Sequence, residues 1–279
     1  MDDKTVFSRR KLLADAAARL ETAGIADAGC EAEMILMFLT GCSRAELFMH
    51  DHVRIAPEKL EDILNRRCRR EPLQYVLGEA YFMNLRLEVA PGVLIPRPET
   101  ELLVERVCRE APPRGRLCDV GTGSGAIALA TAHERPDLEI TAVDISPDAC
   151  RIAEANRRRL ELANVRIFRS DLFDAVDGRF DVIAANLPYV TEAEYIALEP
   201  EVRDHEPKLA LTSGSDGLDL IRRIIREAPP HLTPDGLLIL EIGSGQGNAV
   251  AALMGGGFRD VEIIKDYNCL DRHVAGIRK

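Results

Sequence analysis

The sequence predicts an α/β chain: a Rossmann-like, doubly wound sheet preceded by a small all-α domain and joined to it by a β-hairpin linker. Three observations carry this. Apolar residues recur at helical spacing through residues 1–74, a short strand-like run occupies 75–98, and strand and helix patterns alternate from 99 to 279. A length of 279 residues suits one larger domain beside a smaller one.

The elements follow in order. Leu12, Leu13, Ala16, Ala17 and Leu20 form one helical stripe, stopped by Gly24. Met34, Ile35, Phe38 and Leu39 form a second. Ser43-Arg44-Ala45-Glu46 has capping-box spacing and starts a third helix. Pro57 opens a fourth, which carries Leu60, Ile63 and Leu64. Tyr81–Met83 and Leu85–Val89 alternate as strands, and Pro91-Gly92 marks a turn. Five apolar runs then read as sheet strands: Leu117–Val120, Ile140–Val143, Val165–Phe168, Val182–Ala185 and Leu237–Glu241. Two late ones, near Val261–Ile264 and Val274–Ile277, complete the set. In such a sheet, ligands sit at the carboxyl ends of the strands.

Composition narrows the function classes. The net charge is −10. Residues 1–78 carry 12 Lys/Arg against 13 Asp/Glu, and 79–279 carry 24 against 33, so the larger domain is the acidic part. An acidic body repels a phosphate backbone, so no direct nucleic-acid substrate is expected. No apolar run approaches the roughly 20 residues of a membrane span. The start, Met1-Asp2-Asp3-Lys4, lacks the apolar segment of a signal peptide. The seven cysteines are scattered, with no Cys-x-x-Cys pair, so free thiols in a cytoplasmic chain are expected and no metal site is.

Asp119-Val120-Gly121-Thr122-Gly123-Ser124-Gly125 follows the first sheet strand and leads into a helix. Glycines let a backbone turn sharply and approach a ligand, and a helix start offers free N–H groups. Asp144 ends the next strand, 19 residues past Gly125, where an acid can accept hydrogen bonds from a ribose diol. Two ligands fit. Gly121-x-Gly123-x-x-Ala126 satisfies the loose dinucleotide fingerprint, which admits NAD. Gly121-x-Gly123-x-Gly125 with Asp119 two residues earlier is the form met in methyltransferases that use S-adenosylmethionine (SAM). Asp144, ahead of Ser146-Pro147, also suits a mere helix start.

The fourth sheet strand ends in Asn186-Leu187-Pro188-Tyr189. An amide nitrogen is a poor nucleophile because its lone pair is delocalised, and a site helps by accepting both of its N–H hydrogens. The Asn186 side-chain oxygen can take one and the Leu187 backbone carbonyl the other. Pro188 stiffens the turn and Tyr189 offers a flat apolar face. Such positioning can supply up to roughly 7–11 kcal/mol of a barrier.

This tetrapeptide resembles the Asn-Pro-Pro-Tyr motif of amino-methyltransferases. Glu71-Pro72-Leu73-Gln74-Tyr75 with Gly78, Leu94–Glu101 (reading Leu-Ile-Pro-Arg-Pro-Glu-Thr-Glu), Glu206-Pro207, Asp216-Gly217-Leu218 and Glu241-Ile242-Gly243 with Gln246 resemble the PrmC/HemK family, the peptide chain release factor glutamine N5-methyltransferases. The resemblance spans nearly the whole chain. It implies a class I SAM-dependent methyltransferase fold, SAM as cofactor and class I release factors as the protein partner, with methyl transfer to the glutamine of their Gly-Gly-Gln motif. It further implies a SAM site of Gly121, Thr122, Gly123, Ser124 and Gly125, with Asp144 on the ribose and Leu172 beside the adenine. Asn186 would lie between SAM and substrate, and Asn186, Leu187, Pro188 and Tyr189 would hold the glutamine. Two positions depart from the family: Leu187 stands where Pro is usual, and Leu172 where some members carry an aromatic residue.

Other features read more plainly. Arg66-Arg67-Cys68-Arg69-Arg70 sits in a last helical turn and reads as a solvated face. His50-Asp51-His52 fits no zinc spacing. A ribosomal-protein glutamine methyltransferase is the nearest alternative, and a nucleic-acid base amino-methyltransferase a more distant one.

Overall fold

The computed structural model describes residues 4–279, so Met1-Asp2-Asp3 of the amino-terminal reading above lies outside the described residues. Contacts divide the chain into two units. One comprises Met1–Gly78 and Glu199–His205, the other Glu79–Leu198 and Glu206–Lys279. The hairpin thus groups with the second unit, and a short segment from late in the chain groups with the first.

The first unit is helical. Helices α1 (Arg9–Thr22), α2 (Ala28–Thr40), α3 (Arg44–Met49), α4 (Pro57–Cys68) and α5 (Leu73–Leu77) surround a core that includes Leu20, Ile35, Leu36, Leu47 and Leu64. The Ser43–Glu46 capping box forms as the spacing predicts. Gly41 and Gly78 end α2 and α5 in the left-handed conformation. A two-stranded antiparallel ladder adds to the helices, β1 (Thr5–Ser8) on β2 (His52–Ile55).

Arg67 corrects one sequence reading. It is buried, not solvated, and its guanidinium bonds Glu31 at 2.7 Å and Glu201 at 2.9 Å. Arg70 also reaches Glu201, at 2.7 Å, and Arg66 pairs with Glu71. A buried guanidinium needs such partners, since stripping one away costs about 3–5 kcal/mol. These pairs tie the helix Pro200–His205 into this unit.

In the second unit, β3 (Glu79–Phe82) and β4 (Leu85–Glu88) form the hairpin. Helix α6 (Glu101–Glu110) precedes a seven-stranded sheet built from β5 (Arg116–Val120), β6 (Glu139–Asp144), β7 (Val165–Arg169), β8 (Phe180–Ala185), β9 (Leu232–Glu241), β10 (Phe258–Lys265) and β11 (Asp271–Arg278). Helices α7 (Ala126–Glu134), α8 (Pro147–Arg159), α9 (Glu192–Ala197), α11 (Asp219–Glu227) and α12 (Gly247–Met254) fall between them, α10 being Pro200–His205. The strand order is β10-β11-β9-β8-β5-β6-β7. The pairs from β9 to β7 are parallel, and β11 is antiparallel to both neighbours. Parallel strands carry apolar residues on both faces because helices cover both. Leu117, Val182 and Ile239 pack with α6 and α7 on one face, while Cys118, Ile183 and Leu238 pack with α11 and α12 on the other. Chain order reverses between β5 and β8, which is where a sheet of this kind opens its crevice.

Candidate active site

The register pairs Val120 with Ala185, so Gly121 and Asn186 leave the sheet side by side. Around them lies a cavity of about 370 Å³, within the usual range for a small-molecule site. Of the sequence-predicted residues, Gly121, Thr122, Gly123, Ser124, Asp144, Leu172, Asn186, Leu187 and Pro188 line it. Gly125 and Tyr189 are not among its lining residues.

The glycine turn is held locally. Gly121, Gly123 and Gly125 all adopt positive φ, at 79°, 57° and 88°. The Gly121 and Thr122 N–H groups both donate to the Val143 carbonyl at the end of β6. A Cβ on Gly125 would fall 2.7 Å from Leu129, whereas one on Gly123 would meet only open space. Gly125 therefore serves helix packing and Gly123 leaves room on the cavity side. Asp119 lies wholly buried beneath the turn. Its Oδ2 accepts from the Thr122 hydroxyl at 2.6 Å and the Ala128 N–H at 3.1 Å, and its Oδ1 has no partner. Burial pushes its carboxyl up to about 7, against the pull of those hydrogen bonds.

Asp144 accepts from the Gly123 N–H on one oxygen and the Ser146 N–H on the other, both at 2.9 Å. Burial raises its pKa. The helix-start role belongs to Ser146, whose hydroxyl accepts from the Ala149 N–H. Asp144 thus faces the cavity with its carboxylate held by the backbone on both oxygens. Leu172 is buried with φ of 46°. A left-handed leucine costs about 1–2 kcal/mol, so the surrounding fold holds an apolar wall there against a backbone preference.

The Asn186–Tyr189 loop is held from a distance. Asn186 Nδ2 donates to the Thr100 hydroxyl at 3.2 Å, and Thr100 donates to Glu241 Oε2 at 2.6 Å. The Tyr189 hydroxyl donates to the other Glu241 oxygen at 3.3 Å. Burial, with Glu241 beside it, raises the Tyr189 pKa. The Tyr189 carbonyl accepts from Gln246 Nε2 at 3.0 Å, and Gln246 Oε1 accepts from the Gly243 N–H. Gly217, at φ 73°, passes so close that a Cβ would fall 2.1 Å from the Tyr189 carbonyl oxygen. Leu187 fills the space beside Gly121, where a Cβ would lie 2.9 Å from its Cδ2. The absent side chain at 121 thus makes room for leucine at 187.

Sequence reasoning left several of these supports without a role. Thr100 and Glu241 stood inside matched motifs but had no assigned atoms. Glu206 is buried and accepts from the Ile95 N–H at 3.0 Å and Arg97 at 2.5 Å, which fixes the segment ahead of Thr100. Fully buried Asn156 bonds Glu88 in the hairpin and donates to the Ser124 carbonyl in the glycine turn. No local signal marks it.

Comparison with known proteins bears on this site. Residues 11–78 match the family model described as the PrmC N-terminal domain, and 98–200 match the methyltransferase small domain, which spans both loops. The chain is 40% identical to the release factor glutamine methyltransferase of Geobacter sulfurreducens, with 97% of each chain covered. It is 48% identical to the protein of the same name from Pseudomonas aeruginosa, over 80% of this chain and 82% of that one. A methyltransferase crystal structure from Pyrococcus furiosus shares the fold, with a TM-score of 0.53 at 20% identity over 70% of this chain and 89% of that one. The chain is a methyltransferase and belongs to the release factor glutamine methyltransferase family.

Proposed function

We propose that this enzyme transfers a methyl group from SAM to the side-chain amide nitrogen of the glutamine in the Gly-Gly-Gln motif of class I release factors. One observation carries the reading: a turn suited to a nucleoside and a loop suited to a planar amide open on the same cavity from adjacent strands. The residues present fit SAM. The side-chain-free approach at Gly123 leaves room for a ligand, the half-buried Asp144 carboxylate suits a ribose diol, and Leu172 gives an apolar wall for adenine. When bound, SAM supplies an electrophilic methyl on its sulfonium sulfur.

The chain's own residues then have separable tasks. Thr122 and Ser124 shape the turn between Gly121 and Gly125. Asn186 Oδ1 and the Leu187 carbonyl accept the two N–H hydrogens of the glutamine amide, which turns the nitrogen toward the methyl donor. Pro188 fixes the turn that aims them. Tyr189 is anchored through its hydroxyl to Glu241, and its ring is proposed to offer the substrate amide a flat apolar face. No strong base is required at the outset, because the nitrogen becomes acidic as it is methylated. The helical unit is proposed to present the release factor, and its exposed Phe48 and Met49 offer apolar contact. Seven free thiols suit a cytoplasmic setting. Among the described residues, no helix is long and apolar enough to cross a membrane.

The test incubates the protein with methyl-labelled SAM and a purified release factor, either wild type or with the Gly-Gly-Gln glutamine replaced. Label should enter only the wild-type factor. Equal labelling of both overturns the assigned target, and no labelling of either overturns the substrate.

A further inference from the structure

The reading above requires Asn186 to present its oxygen, not its nitrogen, to the substrate amide. A primary amide has two orientations of nearly equal shape, so packing alone does not choose between them. A neighbouring hydroxyl does not choose by itself either, because it both donates and accepts. Here the ambiguity is removed one step further back. The Thr100 hydroxyl has a single proton, and that proton is directed to Glu241 Oε2 at 2.6 Å. What Thr100 shows to Asn186 is therefore a lone pair, and only Nδ2 can face it, as found at 3.2 Å. Glu241 is held in turn by Tyr189 on its other oxygen. Thr100 and Glu241 are 3% and 1% exposed, so bulk water does not compete for the hydrogen bond between them.

We propose that Thr100 and Glu241 are positioning residues that set the polarity of the Asn186 amide, through a relay running Asn186 Nδ2–H to Thr100 Oγ1–H to the Glu241 carboxylate. Thr100 lines the cavity beside Asn186 and Glu241 does not, and both act through Asn186. It makes one orientation of Asn186 the ground state, so that Oδ1 stands ready to accept. With the relay cut, the amide samples both orientations, and the wrong one places N–H against N–H.

The inference rests on the assignment of Asn186, and the experiment separates the two. Thr100→Val keeps the shape but can neither donate nor accept. It should lower kcat about 10- to 100-fold, with the SAM dissociation constant within about threefold of wild type. Thr100→Ser restores the hydroxyl and should return kcat to within about threefold. In an Asn186→Ala background, Thr100→Val should bring no further loss, because its effect passes through Asn186. Thermal melts check that each variant is folded, and Thr100→Ala replaces the valine variant if that one is not. A valine or alanine variant that keeps more than about half of wild-type kcat overturns the relay while leaving Asn186 in place. So does an equal further loss in the Asn186→Ala background. Wild-type kcat in Asn186→Ala alone overturns both the assignment and the relay.

Discussion

The two loops that leave the sheet side by side are fixed in opposite ways. The turn at residues 121–125 is held by its own positive-φ glycines, by Val143 on the adjacent strand, and by two acids at strand ends, Asp119 and Asp144. The loop at 186–189 is held from far along the chain: by Thr100, 86 positions before Asn186, and by Glu241 and Gln246, 52 and 57 positions after Tyr189. The difference suits their proposed tasks. A nucleoside site works through backbone shape, which local residues can set. An amide acceptor site works through the direction of lone pairs, which needs buried side chains brought in from elsewhere. Leu187 packing against Gly121 is the seam where the two loops meet.

The strongest way to break the second loop without touching the first is Gly217→Ala. The added Cβ would overlap the Tyr189 carbonyl, which is backbone and has no rotamer to retreat to. Left-handed alanine costs roughly 1–2 kcal/mol and the overlap about 1–3 more. We expect kcat to fall roughly 100-fold while SAM affinity stays within about threefold. Parallel losses in both would show that the loops are not separately held.

A smaller effect sharpens the account of the first loop. The Asp119 carboxyl titrates near 7 when folded, above its ordinary value of 3.8, because burial disfavours its charge. Between those values the folded state holds a proton that the unfolded state has lost, so this group makes stability fall as pH rises from about 4 to 7. The carboxamide introduced by Asp119→Asn has nothing to titrate. Denaturant unfolding of that variant beside wild type should therefore show the variant gaining, relative to wild type, by about 1–3 kcal/mol between pH 5 and pH 8. A difference that does not change with pH contradicts the assignment.

The same contrast explains what the sequence made legible. Strand positions followed from apolar runs, and the glycine turn with Asp144 followed from local chemistry, because in both cases the cause lies within a few residues of the effect. The strand β1 is only four residues long and mostly exposed, so no pattern announced its pairing with His52–Ile55. Arg67 read as solvated because its partners, Glu31 and Glu201, lie 36 and 134 positions away. Leu172 gave no sign of its left-handed backbone. Thr100 and Glu241 were visible as motif members, yet their roles depend on a hydrogen-bond direction that only tertiary structure reveals.

The central claim is that Asn186 orients the methyl acceptor while the glycine turn binds the donor. Asn186→Ala tests it when SAM affinity, by calorimetry, and single-turnover methylation of a release factor are measured on the same preparation. The account predicts a methylation rate lower by about 100-fold or more, with a SAM dissociation constant changed by less than about fivefold. A loss of SAM affinity as large as the loss of rate would contradict it and make Asn186 a cofactor ligand instead.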